Sequence, residues 1–311
     1  MGGASVNLRV DPEVAEALAS GRPVVALETS IVAQGLPHPR NLEAAHACEE
    51  AIRAAAAVPA TVAVIDGELR VGLSAQDLER LAAPGADVRK LSSRDLGPAL
   101  AAGATGATTV AGTVRVASLA AIRFMATGGI GGVHRGTPFD ESADLFELTR
   151  SQVAVVCAGP KAVLDMPATL ERLESLGIPV LGYQCDECPA FFTARSGQPV
   201  SARVDDPHAV ARAVSGAWAT GGTGIVIAVP PPEELLGAAG LVEQALGDLP
   251  EARGQAATPA LLSRIADLSG GGSVSINVRL VINNAAVAAH CAAALADERT
   301  SRLSGPGASV T

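Results

Sequence analysis

Short apolar runs recur along the chain, most of them without strict alternation of apolar and polar residues. They are Pro23–Thr29, Thr61–Ile65, Val88–Leu91, Thr108–Val110, Ile122–Thr127, Val153–Ala158, Val180–Gln184 and Gly224–Val229. A strand that is apolar on both faces must be covered on both faces, which is the mark of a mainly parallel sheet. Between the runs lie helix-like stretches at Leu42–Ala57, Ala75–Ala82, Leu96–Ala102, Ala143–Ser151, Ala162–Leu176 and Ala209–Thr220. Asn41, and Asp206 with Pro207, are helix-start signals. The last third turns helical, at Glu233–Leu249, Pro259–Leu268 and Asn283–Ala296. The pattern predicts an α/β protein, a three-layer α/β/α sandwich. Residues 1–297 read as a single catalytic domain. The polar, Gly/Ser-rich stretch 298–311 is expected to be a disordered tail.

Composition narrows the function. The net charge is −9 and aromatics are only 2%, which argues against binding a nucleic acid polymer or a membrane surface. An anionic ligand must therefore be held by a few placed donors. The five cysteines are scattered and odd in number, as in a reducing compartment. The N-terminus shows no charged stretch followed by an apolar one, so the expected setting is the cytoplasm. The most apolar stretch, Val116–Val133, is interrupted by Arg123 and by glycines and reads as core.

Of 23 lysines and arginines, only Lys90 and Lys161 are lysines. Arginine stays protonated, whereas lysine can lose its proton and act as a nucleophile. Chance survival of two lysines is the plain alternative. Lys161 follows an apolar run through Gly159-Pro160, at a strand-to-helix turn. In open parallel sheets ligands bind beyond the carboxyl ends of the strands. Glu28 ends another run, where burial suits a general acid, or where the carboxylate simply holds loop amides. The cluster Thr127-Gly128-Gly129-Ile130-Gly131-Gly132-Val133-His134-Arg135-Gly136 could cradle a phosphate or be a tight turn. It matches neither the dinucleotide fingerprint nor a Walker loop. Asp140, Glu141, Asp144 and Glu147 suit a hard divalent cation, or an ordinary acidic helix start. Cys185-Asp186-Glu187-Cys188 is a single CxxC followed by Pro189, read as a loop.

In order, the chain also shows Ala26-Leu27-Glu28-Thr29-Ser30, Lys90-Leu91-Ser92-Ser93-Arg94-Asp95-Leu96, Gly106-Ala107-Thr108-Thr109-Val110, the glycine cluster, Ser142-Ala143-Asp144-Leu145 and Val155-Val156-Cys157-Ala158-Gly159-Pro160-Lys161. Gly182-Tyr183-Gln184, Pro189-Ala190-Phe191-Phe192, Asn277 and Asn283-Asn284 follow. This series strongly resembles the pseudouridine-5′-phosphate glycosidase family, also called indigoidine-synthase-A-like, from about Pro12 to about Ala296. The resemblance implies an α/β/α sandwich, a homotrimer and a divalent metal, usually manganese. It implies reversible cleavage of the carbon–carbon bond between C1′ of ribose 5-phosphate and C5 of uracil. Lys161 matches the family's Schiff-base lysine, Glu28 its proton donor and Asp140 its metal ligand. Lys90, Val110, Ser142, Ala143 and Asp144 match substrate-contacting positions, and His134 and Asn277 further site positions.

Two departures bear on the acceptor. Between Gly136 and Ser142 the family's stretch is longer by a couple of residues, with a small aliphatic residue where Glu141 stands. Two cysteines at 185 and 188 are unusual in the family. Uracil ranks first as acceptor, and a non-nucleobase aromatic such as a polyketide second. A non-catalytic sugar-phosphate-binding protein is the alternative of another class, and a sugar-phosphate kinase or isomerase is weakened by the missing nucleotide loop.

Overall fold

Each central strand buries successive residues on opposite faces of one sheet, which is why its apolar run is unbroken. Val25 and Leu27 of β2 (Val24–Leu27), Phe124 and Ala126 of β7 (Phe124–Ala126), and Ala154 and Val156 of β8 (Ala154–Cys157) join one core. Val24, Ala26, Met125, Val155 and Cys157 join the other. A computed structural model describes residues 8–136, 139–249 and 257–304.

Among these residues the sheet has eleven strands. The others are β1 (Leu8–Val10), β3 (Val58–Ile65), β4 (Glu68–Val71), β5 (Arg89–Leu91), β6 (Gly106–Thr108), β9 (Val180–Tyr183), β10 (Ala202–Val204) and β11 (Ile225–Ala228). The main order is β1-β4-β3-β2-β7-β8-β11-β9-β10, with β6 on β3 and β5 on β6. All pairs are parallel except β3–β4 and β3–β6. One face carries α2 (Arg40–Ala54), α8 (Pro207–Ala219), α9 (Ala238–Asp248), α10 (Ala257–Leu268) and α11 (Gly272–Ser304). The other carries α1 (Pro12–Ala19), α4 (Leu96–Ala101), α5 (Val110–Leu119), α6 (Ala143–Leu148) and α7 (Met166–Ser175). α3 (Ala75–Ala82) closes a small satellite core against α2 and β3. The chain is thus the expected sandwich of a large, mostly parallel sheet between helix layers.

Several details depart from the sequence reading. Val110 does not end a strand but starts α5, where the Thr109 hydroxyl accepts from the Gly112 N–H at 3.4 Å. Asn41 is not a cap. It is buried inside α2, donating to the Val32 and Ala82 carbonyls at 2.8 and 3.0 Å. Asp206 does cap α8, accepting from the Ala209 N–H at 2.7 Å. The stretch expected to be a disordered tail from Glu298 instead continues α11 to Ser304, because an uninterrupted helix carries its last turns beyond the packed part. Residues 305–311 of that expectation lie outside the described residues. By length and hydropathy α11 could cross a membrane. Its apolar side packs on the sheet and against α2 and α8, so it is a core helix.

Candidate active site

The site arises where two strands meet end to end. β2 pairs with residues 58–61 of β3, and β6 runs the opposite way along residues 63–64 on the same side. Their carboxyl ends therefore face each other. The Thr29 N–H donates to the Thr108 carbonyl at 3.3 Å, and the Thr108 N–H to the Thr29 hydroxyl at 2.9 Å. Both threonine hydroxyls donate to the Val62 carbonyl, at 2.7 and 2.8 Å. Over this junction, at the carboxyl ends of β2, β5, β7 and β8, opens a cavity of about 320 Å³.

Glu28 leaves the end of β2 and is 7% exposed. Its two carboxylate oxygens accept from the Ser30 and Thr127 hydroxyls. Lys161 enters from the turn after β8. Gly159 there has φ +81°, and a Cβ would lie 2.0 Å from the Pro189 carbonyl oxygen, so this position requires glycine. The turn is tied to the glycine cluster. The Lys161 N–H donates to the Ile130 carbonyl at 3.0 Å, the Ile130 N–H to Gly159 at 3.1 Å and the Ala158 N–H to Gly128 at 2.8 Å. Lys90 projects from β5 into the same cavity. Burial, and then the charge of Lys161, hold its ammonium below the usual lysine range, against the opposing pull of Glu28 and Asp144.

Asp144 is buried with both oxygens occupied: Oδ1 accepts from the Ala111 N–H and Oδ2 from the Gly131 N–H, each at 2.8 Å. It pins the start of α5 to the glycine cluster. Ser142 caps α6 through the Asp144 N–H at 3.2 Å. His134 Nδ1 lies 3.2 Å from Asp140 Oδ1. Among the described residues, buried His134 Nε2, Asn277 Oδ1, Ser92 Oγ and Gln34 Oε1 have no hydrogen-bond partner. All four residues line the cavity. Buried polar atoms left so are costly unless a ligand or water meets them, so the cavity is built for a polar guest.

The structure thus brings Glu28, Lys90, His134, Asp140, Ser142, Ala143, Asp144, Lys161 and Asn277 to one cavity. Val110 is the exception. Its side chain is 1% exposed and faces the core, leaving its backbone at the start of α5 as the part nearest the site. Much of the glycine cluster's backbone is committed within the protein, while Gly128 and Gly129 line the cavity. The N–H groups of Ile130, Gly131, Val133 and His134 all donate within the protein. Arg135 turns to Glu243 at 2.6 Å. Glycine is needed instead for close packing: a Cβ on Gly129, Gly131 or Gly132 would meet Phe191, Ser142 or Thr169 within 2.6 Å. The row of acids splits: Asp140, Glu141 and Asp144 line the cavity and Glu147 does not. Glu141 pairs with Arg172 at 2.9 Å, and Glu147 is buried against Arg150 and Ser151. Cys185 and Cys188 are free thiols pushed up in pKa by burial, which disfavours the reactive thiolate. Gln34, Thr258, Pro259 and Leu262 also line the cavity, and no sequence signal marked them.

The meeting of a lysine after β8 and a buried glutamate after β2, with β7 between the two strands, is matched by sequence. Residues 13–294 fit the model of the family described as indigoidine synthase A like protein. The chain belongs to that family. It is 51% identical over 302 residues to the pseudouridine-5′-phosphate glycosidase of Herpetosiphon aurantiacus, covering 93% of this chain and 98% of that one. It is 47% identical to the pseudouridine-5′-phosphate glycosidase of Escherichia coli K12, covering 92% and 94%. Among solved structures, it resembles the prealnumycin C-glycosynthase AlnA in complex with ribulose 5-phosphate. The TM-score is 0.87 at 38% identity, over 96% of this chain and 100% of that one. It also resembles the indigoidine synthase A-like protein of Thermotoga maritima, with a TM-score of 0.87 at 29% identity, over 95% and 99%.

Proposed function

We propose that the chain is a pseudouridine-5′-phosphate glycosidase, reversibly cleaving pseudouridine 5′-phosphate with water to uracil and ribose 5-phosphate. One observation carries the reading: Lys161 and the buried carboxyl of Glu28 share a single polar cavity. A C-glycosidic bond has no leaving oxygen to protonate, so the paired-carboxylate route of ordinary glycosidases does not apply. An amine can replace the ring oxygen at C1′ instead. The Lys161 nitrogen then pushes the aromatic carbon out as Glu28 protonates it at C5. The remaining iminium on Lys161 is hydrolysed to ribose 5-phosphate. Lys90, Ser92, Arg94 and Thr109 form one wall of the cavity and supply cations and hydroxyls for the phosphate and sugar oxygens. His134 and Asn277 offer their unpartnered atoms to the substrate's polar edges. Asp144 positions the loops rather than reacting, since both its oxygens are already bonded.

The donors at the glycine-cluster end also fit a divalent metal such as manganese. Among the described residues no group of three His, Cys, Asp or Glu side chains converges. Asp140 with His134 can supply one or two protein donors, with water and substrate oxygens completing the shell, as hard cations accept. When bound, the metal supplies positive charge that orients water or substrate oxygens. Asp140→Ala should leave the fold intact, lower metal-dependent turnover at least about tenfold, and weaken Mn²⁺ binding in calorimetry. Unchanged Mn²⁺ affinity would remove Asp140 from the metal. The reading includes a cytoplasmic setting and, on family resemblance, a homotrimer.

A second reading is a C-glycosynthase that joins ribose 5-phosphate to a larger aromatic, and two observations favour keeping it. Phe139, beside the cavity residue Asp140, is 98% exposed, and the AlnA likeness spans the whole fold. Glu141, which also lines the cavity, is paired with Arg172. Acceptors are compared at fixed ribose 5-phosphate with Mn²⁺, reading the C-nucleotide by mass spectrometry. Uracil should give pseudouridine 5′-phosphate. If uracil is inert while a bicyclic aromatic is ribosylated, the second reading replaces the first.

A further inference from the structure

On the proposed reaction, each cleavage takes a proton from Glu28 while substrate fills the cavity in front of it. A route behind the sheet is visible. A second cavity of about 20 Å³ lies under the end of β2 on the α2 side. Leu27, Ile31, Ala126 and Val281 line it with the Cys48 thiol, whose pKa burial pushes up to about 12, and Glu28 and Thr61 are its carboxyl and hydroxyl members. One water needs roughly 10–15 Å³ of such volume and at least two polar partners. Thr61 is buried on β3, in register with Leu27, and its hydroxyl donates to Glu49 Oε1 on α2. Glu49 is half-buried, and His46, Arg53 and Glu13 face it. Burial raises its carboxyl pKa above the usual glutamate value, opposed by the Thr61 bond and then by the His46 and Arg53 charges. A carboxyl raised in this way holds a proton more readily than an exposed glutamate.

We propose that Thr61 and Glu49, with one water in the small cavity, form a proton relay that recharges Glu28 from solvent behind the sheet. The inference rests on the proposed function for its role, but not for its existence. In cleavage Glu28 gives its proton to C5 and becomes a carboxylate. The cavity water then gives a proton to Glu28 and takes the Thr61 hydroxyl proton. For this the Thr61 hydroxyl, which rests donating to Glu49, turns toward the water; Thr61 takes the carboxyl proton of Glu49, and Glu49 is reprotonated by solvent. At the front, hydrolysis of the iminium consumes one water and releases one proton. One proton enters behind the sheet and one leaves in front, so the reaction stays balanced. In synthesis the same chain runs outward.

Thr61 and Glu49 do not touch the substrate, so the relay affects turnover after the first. In Glu49→Gln and Thr61→Val, the single-turnover rate on pseudouridine 5′-phosphate and kcat/KM should stay within about twofold of wild type. Steady-state kcat should fall about tenfold to a hundredfold, with a larger solvent deuterium isotope effect. Thr61→Ser, which keeps the hydroxyl, should restore kcat. A kcat within about twofold of wild type in both variants, or an equal fall in the single-turnover rate, would overturn the relay. A second measurement needs no turnover. In protein labelled at threonine methyls, the Thr61 methyl should show a cross-relaxation signal from a long-lived internal water. Its absence overturns the relay whatever the activity. Its presence in a wild-type protein inert on pseudouridine 5′-phosphate would support the relay's water and reject the functional reading instead.

Discussion

Lys161→Arg is expected to abolish turnover, although it keeps the charge, much of the length and the surrounding fold. The side chain enters the site from a turn whose backbone is already fixed by hydrogen bonds to Gly128, Ile130 and Gly159. Neither arginine nor alanine disturbs those bonds. What arginine cannot do is present a neutral amine, because its guanidinium stays protonated. Without that amine C1′ has no partner and the carbon–carbon bond has nothing to drive it open. The loss expected for removing a covalent nucleophile is on the order of 10⁴-fold or more. Borohydride should trap ribose 5-phosphate on the wild-type enzyme, and peptide mapping should place the adduct on Lys161. An adduct mapped to Lys90 alone would transfer the role to the other lysine and end this mechanism.

Glu28→Gln separates the two halves of the reaction. The amide matches the carboxylate in shape, and the Ser30 and Thr127 hydroxyls can each donate or accept. The site therefore keeps its form while losing its acid. Cleavage should slow by about 10²- to 10⁴-fold, the usual contribution of a general acid. Ribose 5-phosphate should still be trapped on Lys161 by borohydride, since forming that imine does not require the proton at C5. Quench-flow measurement of uracil release beside the trapping yield checks both. A variant that loses trapping as well as cleavage would mean that Glu28 holds the sugar rather than the departing carbon.

The sheet was legible in the sequence because its central strands are apolar on both faces, as at β2, β7, β8 and β11. That Lys161 and Glu28 meet at one cavity was legible because both stand at the carboxyl ends of apolar runs, where parallel sheets open toward ligands. Edge strands were harder. β4 reads Glu-Leu-Arg-Val with only alternate residues buried, and β1 and β10 are three residues long. No helix is read from Val110–Leu119, whose valines favour a strand. Burial between β-strands and neighbouring helices overrides that propensity once Thr109 caps the turn. The apolar pattern placed the start of the last helix at Asn283, but it begins at Gly272. Asn277 therefore lies within the helix, and its polar neighbours blur the period. The glycine cluster stayed ambiguous for a related reason. A string of glycines signals close approach of some kind, and only the packed neighbours tell side chain from phosphate.

The end-to-end meeting of β2 and β6 makes β3 a ruler. Residues 58–61 measure one strand, 63–64 the other, and Val62 alone lies between, with its carbonyl shared by the two threonines. No slack exists on that edge. One residue more or fewer in β2 would turn Glu28 to the opposite face of the sheet, and the same change in β6 would displace the start of α5. Segments beyond the strand ends carry no such tally. Natural variants of this fold should therefore differ in length around residues 137–141 and before α10, while the count from Val24 to Thr29 and from Gly106 to Thr109 stays fixed.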